Sequence, residues 1–145
     1  MWNAEDFLST GDILDSMSYD VNINRLSGGL SLGYFVIQTT NSNFYISANQ
    51  GAGQRTLATE SATWNVFNPL NAGVASIGAS VGTLDMSASN INAVGYYLDS
   101  SSAATTMRHY VSYFQATSVP EPSTQAMLIM GVGALCFARR RKLRA

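Results

Sequence analysis

His109 is the only histidine in the chain, so a multi-histidine metal site is excluded and any Ser-His-Asp arrangement has to be built on this one side chain. It lies in the alternating segment Met107 to Gln115. There His109, Val111 and Tyr113 are expected on one face of a strand, with Tyr110, Ser112 and Phe114 on the other. No acid sits beside it, and His109 reads as structural. Glu60 with an aspartate would be the carboxylate pair for glycoside hydrolysis, but no spacing sets two acids across a cleft, so no catalytic residue is expected. Asp12, Asp15, Asp20, Asp85 and Asp99 are scattered and form no Asp-x-Asp-x-Asp-Gly loop; calcium bridging loops at a sheet edge is the alternative to the expectation of no metal and no cofactor. Gly51-Ala52-Gly53 and the stretch Gly78 to Gly82 lack the Lys-Ser or Lys-Thr that completes a phosphate cradle, and both read as loops. Seven Tyr, six Phe and two Trp remain. Most must fill a core, because sheets favour aromatics and a small domain needs their area. Trp64, Tyr96 and Tyr97 are the candidates for an exposed platform on which a sugar ring stacks.

The elements that would position these residues are strands. Only 12% of the chain is charged, about half the usual level, while 46% is apolar, which argues against disorder. Tyr19, Val21 and Ile23 alternate with Asp20, Asn22 and Asn24, the pattern of a strand with one wet face, and Gly28-Gly29 breaks it. Tyr34-Phe35-Val36-Ile37 is apolar on both faces, and Asn41-Ser42-Asn43 reads as a hairpin turn into Phe44-Tyr45-Ile46. Trp64 to Phe67 ends at Asn68-Pro69, and Val74 to Met86 reads as a pair of strands. Ile91 to Leu98 and Met107 to Ala116 read as a hairpin across a polar connection. Glu5 to Leu14 could start as a short helix. Short strands with turn signals and no long amphipathic helix predict an all-β body over residues 1–117: an antiparallel β-sandwich, jelly-roll-like.

The charge is polarised along the chain. Up to Ser118 there are eight acids against only Arg25, Arg55 and Arg108, whereas the last seven residues hold five of the eight basic side chains. A mildly acidic body is no partner for nucleic acid. Ala126 to Ala138 is an apolar run whose thirteen residues give roughly 20 Å of helix, and a start at Ser123 gives roughly 24 Å, against a hydrocarbon core of about 30 Å. The basic cluster behind it obeys the positive-inside rule, which places Arg139 to Arg144 in the cytoplasm and the body across the membrane. Pro120 and Pro122 hold the segment ahead of the run extended.

Val119-Pro120-Glu121-Pro122-Ser123, the short glycine-containing apolar run and Arg139-Arg140-Arg141-Lys142 together resemble the PEP-CTERM protein-sorting signal of Gram-negative bacteria, a tail also labelled an ice-binding protein C-terminal domain. The resemblance covers about the last twenty-seven residues. It implies that Val119, Pro120, Glu121 and Pro122 are a sorting motif within a linker over 118–125. It likewise implies that 126–138 is a transmembrane helix and that Arg139, Arg140, Arg141 and Lys142 are the topology stop of a basic tail over 139–145. The partner it implies is an exosortase, an integral-membrane transpeptidase; carriers are exported and associated with extracellular polysaccharide and biofilm. The expected route is an inner-membrane intermediate, then the cell envelope or the outside. Such carriers usually begin with a signal peptide, and since Met1-Trp2-Asn3-Ala4-Glu5-Asp6 has no basic or apolar leader, the expectation is that the true start lies upstream or that the chain is a fragment. The expected function is that of a non-catalytic envelope or extracellular-matrix protein. The alternative is a polysaccharide-binding or adhesive module held permanently by a single-pass helix.

Overall fold

The structure is a computed structural model and describes residues 1–25, 31–69, 75–100 and 107–121. Nine strands carry it: β1 (Trp2–Asn3), β2 (Asp12–Arg25), β3 (Ser31–Thr39), β4 (Phe44–Ile46), β5 (Gly53–Ala58), β6 (Trp64–Asn68), β7 (Ser76–Gly82), β8 (Ile91–Ser100) and β9 (Met107–Pro120). They form two sheets, one of six strands in the order β1-β8-β3-β4-β6-β7 and one of three in the order β5-β2-β9. Every pairing is antiparallel. The expected all-β body is therefore present, consistent with a β-sandwich, and the only helix among the described residues is a single 3-10 turn at Ala4–Asp6. That turn replaces the short helix expected from Glu5, because Asp12 already belongs to β2.

Alternation puts one face of each sheet into a shared core. Leu14, Met17, Tyr19 and Val21 of β2 pack with Phe35 and Ile37 of β3, Trp64 of β6 and Val94 of β8. A smaller cluster of Val36, Ile46 and Phe67 lies on the other side of the six-stranded sheet, under Tyr34, Phe44 and Tyr97. Phe35, Val36 and Ile37 are thus all buried, as an apolar run on both faces requires. The turn at Asn41-Ser42-Asn43 also forms where expected: Ser42 takes φ 63 and the Thr39 amide donates to the Asn43 carbonyl at 2.9 Å.

The hairpin expected between 91–98 and 107–116 does not form. β8 pairs with β3 and β1 in the larger sheet, whereas β9 pairs with β2 in the smaller one. The physical reason is length: β2 and β9 are both fourteen residues and match along their whole extent, a ladder that ten-residue β8 could not supply. The pairings β2 with β9 and β3 with β8 are nested, one in each sheet, around the strands between them. Val74 to Met86 contains one strand, β7, and the stretch 78–82 expected as a loop lies within it. Gly51 and Gly53 do form a loop and its exit, at φ +73 and +85.

Two register shifts interrupt the β2–β9 ladder. At the first, Asp15 of β2 has no partner in β9, and its carbonyl accepts from the Thr59 amide and hydroxyl, each at 2.9 Å. The Thr59 hydroxyl also contacts the Leu14 carbonyl. At the second, Asp20 pairs with Tyr113 and Val21 with Val111, leaving Ser112 as the extra residue. The bulge overturns the face assignment read from simple alternation: Val111 and Phe114 both pack against the core, and Tyr110 and Tyr113 both face outward.

Candidate functional site

The sorting segment is not a free linker at its start. β9 runs through Val119 and Pro120, so the expected boundary after residue 117 falls inside a strand. Val119 pairs with Ile13 and Pro120 with Asp12, and the Glu121 amide donates to the Gly11 carbonyl at 2.8 Å. The Ser118 hydroxyl adds a hydrogen bond to the Asp12 carboxylate at 3.0 Å. A proline is tolerated here because it ends the strand. Glu121 lines a cavity of about 440 Å³ together with Glu5, Thr10, Gly11 and Asn92. Through Pro120 the segment is thus strand paired along one edge to β2, and Glu121 lines the cavity.

Pro122, the apolar run 126–138 and the basic residues 139–142 lie outside the described residues. Among the described residues no helix is long and apolar enough to cross a membrane.

The three expected sugar-platform residues separate into three environments. Trp64 is 0% exposed, so it is a core residue and not a platform: at the start of β6 its side chain is packed in the core shared by the two sheets. Tyr96 turns toward the space between the sheets, among Trp2 at 5.8 Å, Phe114 at 5.9 Å and Tyr19 at 6.4 Å. Tyr97, one residue on, points to the opposite face and packs on Phe67 at 5.2 Å and Tyr34 at 6.1 Å. Its hydroxyl donates to Asp99 Oδ2 at 2.9 Å, and burial, then that bond and the negative charge of Asp99, then Tyr34, push its pKa up to about 12. The period of two along a strand keeps Tyr96 and Tyr97 from forming one surface.

The strongly exposed tyrosines are instead Tyr110, 53% exposed, and Tyr113, 36% exposed, neither of them singled out by the sequence. The signal that would have found them is the Ser112 bulge, which alternation cannot reveal. Glu60 and Asp85 line a shallow cavity of about 280 Å³, where Asp85 Oδ1 accepts from the Ser87 amide at 3.0 Å. Among the described residues no group of three or more His, Cys, Asp or Glu side chains converges as metal ligands would.

The geometry defines an all-β, two-sheet body whose last strand continues directly into a Pro-Glu-Pro segment. Residues 118–142 match the family model of the PEP-CTERM protein-sorting motif. The match implies export, sorting to the envelope, and membrane association with exosortase-related processing. No curated protein and no solved structure matches the chain.

Proposed function

We propose that this is an exported, non-catalytic component of the cell envelope or extracellular matrix, delivered by its C-terminal signal and processed by an exosortase. The observation that carries the reading is the PEP-CTERM match at residues 118–142, whose first residues through Pro120 are the end of β9. In this reading residues 139–142 hold the tail inside, 126–138 pause it in the membrane, and Pro120, Glu121 and Pro122 are the motif the enzyme grips. A transpeptidase needs an extended substrate backbone, which two prolines supply. The nested pairing of β2 with β9 and β3 with β8 supports a jelly-roll-like wrapping of the body. Extracellular polysaccharide is the partner class proposed for the body.

The test is intact mass from the native host, membrane and secreted fractions separately, for wild type and for a variant with Pro120, Glu121 and Pro122 all changed to Ala. A wild-type mass lacking the apolar and basic tail, restored to full length by the variant, is the expected result. A full-length membrane mass in both would make the tail a permanent single-pass anchor.

A further inference from the structure

We propose that the outer face of the β5-β2-β9 sheet is a binding track for a neutral polysaccharide, with Tyr110 and Tyr113 as its stacking platforms. The proposal rests on the polysaccharide reading of the body and names the face that would carry it. The register sets the surface row by row: Tyr110 beside Asn22, then Tyr113, Asp20 and Gln54, then Gln115, Ser18 and Thr56. Without the Ser112 bulge, Tyr110 and Tyr113 would point to opposite faces; with it they stand about 7 Å apart on the same one. A bulge placed so as to re-aim one side chain sacrifices ladder pairing, and here it converts a core-facing position into a second exposed ring.

The Gln54 side-chain amide donates to the Tyr113 hydroxyl at 3.1 Å although the two residues lie on the two outer strands, each opposite Asp20 of the central one. The phenol therefore reaches across the sheet over Asp20, and the side chain stays 36% exposed. Ser112 is held on the same side by Asn22, whose amide donates to it at 3.3 Å. Pyranose rings offer C–H faces to aromatic rings and hydroxyls to amides and hydroxyls, and this track supplies both partners side by side. Around the two rings its rows carry Asn22, Asp20, Gln54, Gln115, Ser18 and Thr56 rather than further apolar side chains. Among the described side chains, Asp20 lies within its rows, Arg108 further along β9 and exposed Asp15 further along β2, so no cationic cluster favours an anionic polymer.

The full chain in mild detergent is tested for retention on insoluble cellulose, curdlan and mannan, with alginate as the anionic comparison. Retention on at least one neutral polymer and none on alginate is expected. Tyr110→Ala and Tyr113→Ala should each weaken retention about tenfold, the double variant should abolish it, and Gln54→Ala should give a smaller loss by freeing the Tyr113 ring. Tyr97→Ala, on the other sheet, should bind as wild type. Tyr110, Tyr113 and Gln54 are exposed positions, and an unaltered circular dichroism spectrum of each variant, Tyr97→Ala included, separates lost binding from lost fold. No retention of the wild type on any neutral polymer overturns both this site and the polysaccharide reading. Wild-type retention by the double variant, or loss only in Tyr97→Ala, overturns the site and leaves that reading standing.

Discussion

Tyr19 ties three segments together through one hydroxyl. It is fully buried, and its OH donates to the Gly51 carbonyl at 2.7 Å, pinning the loop before β5. Gly33 lies beneath that bond: a Cβ there would collide with the Tyr19 hydroxyl and with the Gly51 carbonyl, which is backbone and cannot move aside. Gly33→Ala should therefore destabilise the body by about 1–3 kcal/mol, measured by urea denaturation. The same hydroxyl makes stability pH-dependent. Burial pushes the Tyr19 pKa up to about 12, with the Arg55 charge pulling the other way, and Tyr97 reaches the same value. An unfolded tyrosine ionises near about 10. The folded chain thus holds protons that the unfolded chain has shed between pH of about 10 and about 12. Stability should be intact below that window and fall as pH rises through it. Tyr19→Phe should be less stable than wild type at neutral pH by about 1 kcal/mol, yet lose less between those limits. An equal alkaline slope in both proteins would contradict the assignment.

At the scale of elements, the bulges are what simple periodicity could not supply. Asp15 breaks register in β2, and Thr59 compensates from the chain beyond β5 with an amide and a hydroxyl. Thr59 is fully buried, so Thr59→Val keeps the volume and leaves buried carbonyls short of a donor. A loss of about 1–3 kcal/mol, with an unchanged dependence on denaturant, is expected from equilibrium unfolding. β2, β3, β4 and β6 were legible because apolar alternation or an apolar run set each against a core. β5 was not, since Leu57 is its one side chain packed on the core and an edge strand needs no more. The wrong partner for β9 came from proximity: β8 precedes it in sequence, and consecutive strands usually pair, but a fourteen-residue ladder with β2 outcompetes that tendency. The tail was legible because its three devices are compositional and ordered along the chain. Tyr110 and Tyr113 were hidden because one extra residue brings onto one face two rings that alternation sets on opposite faces.

In the whole molecule, the ladder of the body runs into the segment matched by the sorting motif. β9 stays paired to β2 through Pro120, and the apolar helix of the proposed anchor can begin at Ser123. Glu121 and Pro122 then span at most roughly 10 Å, comparable to one headgroup layer. The body would rest on the membrane surface, with its cavity around Glu121 beside the lipid. A bond inside β9 is protected twice, by its ladder with β2 and by the Ser118 hydroxyl on Asp12. Cleavage there would require stripping the end of the strand from the sheet. The processed protein should accordingly retain residues through Pro120, and intact mass with C-terminal peptide sequencing of the secreted form should place its terminus at or beyond Glu121. A terminus before Ser118 would mean that the enzyme unzips β9. In that case Asp12→Ala, which removes the Ser118 contact, should speed processing, while under the expected geometry it should leave the rate unchanged.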